Sequence, residues 1–251
     1  MDDSHGEELA ANRRNWDERV DVHVASRFYD VDGWLRARPG PQPRELEALG
    51  DVSGMDLVHL QCHFGLDTLA WARIGARVTG LDFSSEAVAT ARDIALGHRT
   101  FDVVYVSLGA LCWLPSADRW ASQVAGLLRP GGRLYLHDGH PLAWALSAES
   151  LVVEHGYFET EAPFVDDSDE TYTDATRSLV NRRSYEWNHG LGQTVTALLD
   201  HGMRIDRLEE HNWHVHRRFP WLVEQSPGYW FAPPEFPQVP LTFTVVATRV
   251  A

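Results

Sequence analysis

Residues 58–84, VHLQCHFGLDTLAWARIGARVTGLDFS, decide how this chain is read. Short apolar runs at 57–61 and 77–81, each bounded by turn residues, are the pattern of strands buried on both faces. Between them, residues 65–74 read as a helix stopped by Gly75. The second run closes on an acid, Asp82, and Ser84 then stands where it caps a further helix over 85–95, with Glu86 in its first turn. Where a dinucleotide-binding turn carries three glycines, residues 61–65 carry one, Gly65.

Outward from this unit the alternation continues. Residues 101–111, FDVVYVSLGAL, fit a strand buried on both faces, and 127–141, LLRPGGRLYLHDGHP, read as a helix end, a Pro-Gly-Gly turn and a strand over 133–137. Strand and helix in turn imply a parallel sheet with helices on both faces and right-handed crossovers. Residues 9–35 read as an aromatic-rich helix ended by RARPGPQP, which makes residues 1–44 a helical cap and 45–251 the main domain. The pattern weakens at about 147–185, an irregular insertion with the acidic stretch FVDDSDETYTD read as a solvated loop. Asn188 is positioned to cap a helix over 189–201, followed by strands over 204–213 and 240–249.

Composition narrows the functional classes. The chain has 251 residues, 44% hydrophobic and 23% charged, which suits one sizeable core. A formal net charge of -14 opposes a nucleic-acid footprint, because phosphate backbones call for clustered Lys and Arg. The opening residues are acidic and polar, unlike a secretory leader, and no window is apolar enough for a membrane span, so a cytoplasmic protein is expected. Cys62 and Cys112 do not make a disulfide framework.

In an open parallel sheet, ligands sit beyond the carboxyl ends of the strands. Residues 61–65, 82–84 and 107–110 therefore surround one cleft. Asp82, 17 residues after Gly65, is placed to accept both hydroxyls of an adenosine ribose; the alternative is that it only caps the helix at Ser84. A turn without phosphate-hugging glycines suits an adenosine ligand lacking a pyrophosphate, and His63 can take the left-handed conformation that glycine otherwise provides. S-adenosylmethionine is such a ligand.

The chain resembles class I S-adenosylmethionine-dependent methyltransferases, in the bacterial branch whose first loop reads L-Q-C-H-F-G-x-D. The motifs are LQCHFGLDTLAWAR, VTGLDFS, FDVVYVSLGALCWLP, LLRPGGRLYLHDGHP, YEWNHGLGQTVTALLDHG and PLTFTVVATR. The resemblance implies a Rossmann-like, doubly wound, mostly parallel sheet of seven strands with the last antiparallel. It implies that Gln61, Cys62, His63 and Gly65 face the methionine half of the cofactor and Asp82 the ribose. Phe83 and Ser84 would lie by the adenosine, and Ser107 and Gly109 would line the methyl side. His59 stands where the wider superfamily has an acid, and is read as a buried strand residue. The family also places a third strand and a helix after residue 95, yet only 96–100 intervene before FDVV. Either the 85–95 helix is itself the crossover, leaving one edge strand fewer, or part of the chain is absent from the sequence.

Methyl transfer from a sulfonium is an in-line displacement, so alignment and exclusion of water dominate, and a base is needed only if the acceptor must lose a proton. His140, past the 133–137 strand, and His189, at a helix start, are the candidate bases. Trp113, Trp144, Tyr157, Phe158, Tyr185, Trp187, Trp213, Trp230 and Phe231 could wall a pocket for a small-molecule acceptor. His211, His214 and His216 lack the fourth ligand of a structural zinc site, and no metal is expected. The competing functions are a non-catalytic cofactor-binding relative and a nicotinamide oxidoreductase on the same sheet.

Overall fold

The computed structural model describes residues 5–82, 100–169, 171–173 and 178–250. The expected helix over 85–95, its cap Ser84, and Phe83 lie outside those residues.

The central sheet is built from β1 (Asp56–Leu60), β2 (Arg77–Leu81), β3 (Phe101–Val106), β4 (Leu128–Gly139), β7 (Met203–His211) and β11 (Thr242–Arg249). Their order is β2-β1-β3-β4-β11-β7. β1 pairs parallel with β2 and β3, and β3 with β4, while β11 runs antiparallel to both neighbours. Among the described residues the sheet has six strands rather than seven, and β2 is its edge. β3 pairs with β1 on the side away from β2.

The strands are apolar on both sides because both faces are covered. On one face Val104 and Val106 of β3, with Leu134, Leu136 and Val245, pack on α5 (Ala117–Leu127) and α7 (Leu191–Asp200) through Trp120, Val124 and Leu198. On the other face Val103 and Tyr105 meet α3 (Pro43–Leu49) and α4 (Leu66–Arg73) through Leu49 and Trp71. The period-two alternation along β3 sends neighbouring side chains into opposite layers.

Several local expectations are corrected. The 9–35 helix is two helices, α1 (Gly6–Val24) and α2 (Val31–Ala37). Asp30 separates them in the left-handed region at φ 36°, and its carboxylate accepts from Gly33 N at 3.1 Å. The Pro-Gly-Gly turn is enclosed in β4, where the pairing with β3 shifts register between Phe101 and Val103. Gly132 is required there, since a Cβ would stand 2.9 Å from Arg129 O and 3.0 Å from Phe101 O. Asn188 does not cap α7. Gly190 does, and Asn188 Nδ2 donates to Pro141 O at 2.9 Å and Gly156 O at 2.8 Å.

The 147–185 stretch holds little regular structure beyond β5 (Phe164–Asp166), which pairs antiparallel with β6 (Ser184–Glu186). Helix α1 is stitched to it by polar groups. The Asn12 amide exchanges two hydrogen bonds with the backbone of Tyr185, both 2.7 Å, as a neighbouring strand would, and Asn15 Nδ2 donates to Asn181 O at 2.6 Å. Between β7 and β11 the chain folds a small sheet from β8 (Trp213–His214), β9 (Val223–Ser226) and β10 (Tyr229–Phe231). It also adds a third apolar cluster, in which Phe219, Leu222 and Leu241 pack on Leu146.

Candidate functional site

The turn after β1 bends sharply because three of its residues are left-handed: Gln61 at φ 56°, His63 at 49° and Gly65 at 83°. A left-handed side-chain-bearing residue costs about 1–2 kcal/mol, so Gln61 and His63 need holding. Gln61 Nε2 donates to Ala110 O at 2.6 Å, and the His63 backbone N–H donates to Asp82 Oδ2 at 2.7 Å. The acid at the end of β2 therefore clamps the turn at the end of β1. Cys62 packs its Sγ against β2 at Gly80, where a Cβ would approach it to 2.9 Å. Burial, and then the Asp82 charge, push the Cys62 thiol up to about 12, so it is a neutral thiol at physiological pH.

Behind the turn, His59 is buried, with Nδ1 2.8 Å from Thr68 Oγ1 and Nε2 3.2 Å from Ser107 Oγ. Burial holds it down at about 3, and as a neutral ring it fixes Ser107 at the end of β3. The adjoining loop is held by a residue that sequence reasoning passed over. Asp138, 3% exposed near the end of β4, accepts backbone N–H bonds from Gly109 (2.6 Å), Ala110 (3.2 Å), Leu111 (2.9 Å) and Gly139 (2.7 Å). The rule that sites gather at strand ends points to Asp138 as readily as to His140.

These parts open on one cavity of about 880 Å³. Gln61, Cys62, His63 and Gly65 line it, as do Asp82, Ser107 and Gly109. The helical cap and the insertion close it from above. Trp16 packs edge-on against His63 and Trp113, each at 5.3 Å between ring centroids, and Tyr29 meets Phe64 at 4.7 Å. His23 Nδ1 stands 3.0 Å from His63 Nε2, and His23 Nε2 2.6 Å from Thr171 Oγ1, joining α1, the turn and the insertion in one chain. Burial lowers both rings, to about 3 for His23 and about 4 for His63, so near neutral pH the pair is uncharged and shares a single N–H···N bond. Tyr29 and Tyr172 are hydrogen-bonded through their hydroxyls across the same seam.

His140 and His189 are not among the lining residues. His140 Nδ1 accepts from Leu142 N at 3.1 Å, capping α6 (Pro141–Ala145), and its Nε2 lies 2.9 Å from Glu210. His189 has Glu159 at 2.6 Å from Nδ1 and the carbonyls of Leu114 and Leu111 at 2.8 and 3.1 Å from Nε2, which leaves no lone pair directed at a ligand. Of the expected aromatic wall, Trp113 and Trp144 line the cavity. Aromatics from the segments read as cap and solvated loop line it too, among them Trp16, Tyr29 and Tyr172. Sequence carried no local signal for these, because contacts such as Tyr29 with Phe64 and Tyr29 with Tyr172 join residues 35 and 143 positions apart. Glu45 and Glu186 also reach the cavity, and burial pushes each up to about 7.

Comparison with known proteins bears on the fold that carries this cavity. Residues 58–136 match a family described as a methyltransferase domain. A curated relative, the ubiquinone biosynthesis O-methyltransferase of Xanthomonas oryzae pv. oryzae, is 28% identical over 148 residues, covering 49% of this chain and 62% of the relative. The chain thus spans less than two thirds of that relative's length. An S-adenosylmethionine dependent methyltransferase from Mesorhizobium loti superposes with a TM-score of 0.52 at 20% identity, over 82% of this chain and 96% of its own. A SAM-dependent methyltransferase from Methanosarcina mazei gives 0.51 at 18%, over 84% and 99%. Residues 58–136 are therefore the part of the chain that matches the methyltransferase-domain family, and the molecule is built on the Rossmann-like methyltransferase fold.

Proposed function

We propose that the protein transfers the methyl group of S-adenosylmethionine to a small-molecule acceptor. The observation that carries this reading is the clamp of Asp82 on His63 N–H at 2.7 Å, which brings an acid and a glycine-poor, left-handed turn to the rim of one cavity. A volume of about 880 Å³ falls within the range usual for small-molecule sites.

The residues present fit such a cofactor. Asp82 is the acceptor for ribose hydroxyls, and Gln61, Cys62, His63 and Gly65 form the cradle for the amino-acid tail. Gly109, at φ 81°, has open space where a Cβ would stand, leaving room beside Ser107 for the reacting centre. When bound, S-adenosylmethionine supplies a methyl group activated by a positively charged sulfonium. The protein's own contribution is alignment and exclusion of water: His59 fixes Ser107, Asp138 fixes the loop bearing Gly109, and the Trp16, Tyr29 and Tyr172 rings shield the cavity. No histidine base is required by this arrangement. His140 and His189 serve it as a helix cap and a loop tie.

Calorimetric titration with S-adenosylhomocysteine tests the reading. Wild type should bind, and Asp82→Ala should weaken binding by about 30-fold, the worth of a charge-assisted hydrogen bond of about 2 kcal/mol. Absence of heat with wild type, or equal affinity in the variant, refutes it, and the former outcome favours a non-catalytic relative.

A further inference from the structure

Arg19, on α1, is 7% exposed and lines the cavity. A guanidinium has five N–H donors and stays charged in proteins. Among the described residues its side chain makes one hydrogen bond, from Nε to Asn15 Oδ1 at 2.7 Å, and no ion pair. The acids Glu186 and Asp166 and the phenols Tyr172 and Tyr29 act on it only through space. Its planar group stands 5.4 Å from the Trp16 ring centroid, a cation-π contact that takes up none of the N–H donors.

Buried charges are normally paired, because desolvating an unpaired one is costly. Here, among the described residues, the terminal nitrogens of a buried arginine lack a protein acceptor at the wall of a ligand-sized cavity. They lie near the turn after β1, since the Arg19 charge adds to burial in lowering His63. We propose that Arg19 is the anchor for a carboxylate bound inside this cavity. A guanidinium presents parallel N–H groups that match the two oxygens of a carboxylate, which is the pairing this side chain is missing. Glu186, pushed up to about 7 by burial, is only partly charged near neutral pH, so it opposes such a ligand weakly.

Two molecules could bring the carboxylate: the amino-acid tail of the methyl donor, or the methyl acceptor. The first source rests on the function proposed above, and the second does not. Binding of two ligand pairs separates them, each pair differing by the carboxylate: S-adenosylhomocysteine against its decarboxylated analogue, and 4-hydroxybenzoate against 4-hydroxybenzamide.

On wild type, the acid of at least one pair should bind about tenfold or more tightly than its neutral partner, as charge-assisted hydrogen bonds imply. Arg19→Met should abolish that preference while changing the affinity of the carboxylate-free partner by less than about twofold. The pair that responds identifies the source. No preference in either pair on wild type overturns the proposal, as does a preference that survives in Arg19→Met. If that variant does not fold, the wild-type preference and its reduction in Arg19→Lys decide, because a lysine keeps the charge but not the parallel donors. Failure of both adenosyl compounds to bind would refute the donor reading, while the hydroxybenzoate pair would still score the anchor.

Discussion

Replacing Asp138 by Asn is the most telling perturbation of the loop that borders the cavity, because shape is preserved and only hydrogen-bonding changes. In the native protein one carboxylate oxygen accepts from Gly109 and Gly139, and the other from Ala110 and Leu111. An amide can satisfy one of those pairs. Its NH₂ must then face the other two N–H groups, donor against donor. Leaving a buried donor unsatisfied costs about 1–3 kcal/mol, so two such losses come to about 3 kcal/mol. For a chain of this size that corresponds to a fall of about 6–12 °C in Tm. Thermal unfolding followed by far-ultraviolet circular dichroism measures it, and amide hydrogen exchange at residues 109–111 should quicken in parallel. A Tm within about 2 °C of wild type, with unchanged exchange at those amides, would refute the idea that Asp138 organises this loop.

Gly80→Ala should lower stability by about 1–2 kcal/mol through overpacking against Cys62 Sγ, 2.9 Å from the added Cβ, and Cys62→Ala in the same chain should recover most of the loss in a thermal-unfolding double-mutant cycle. Burial raises Glu45 from 4.5 to about 7, so from pH 4.5 to 7 the unfolded chain releases this proton while the folded protein keeps it. Wild type should therefore lose stability relative to Glu45→Gln as pH rises through that window, by about 1–3 kcal/mol, and stay level above it; a pH-independent Tm difference between the two would contradict this.

The sequence by itself made most of the sheet legible, along with the strand ends that border the candidate site. Apolar runs at 57–61, 77–81 and 101–106 are legible because strands covered on both faces must be apolar throughout. The turn is legible because its chemistry is local: Gln61, His63 and Gly65 follow a strand end, and left-handed backbone is a property of neighbouring residues. Asp82 is identified by the same short-range logic. Tertiary structure alone decided what closes the cavity. Trp16, Arg19 and Tyr29 reach it from a helical cap, and Tyr172 from a segment whose acids read as solvated loop; no periodicity announces contacts between residues 23 and 63 or 29 and 172. It also decided which polar groups are free to act. His140 and His189 stand near strand and helix ends as expected, yet Glu210 lies 2.9 Å from one ring and Glu159 and two carbonyls engage the other, while Arg19, unremarked in the sequence, keeps one side-chain hydrogen bond among the described residues because the fold buries it at a cavity wall where Glu186 and Asp166 act on it only through space.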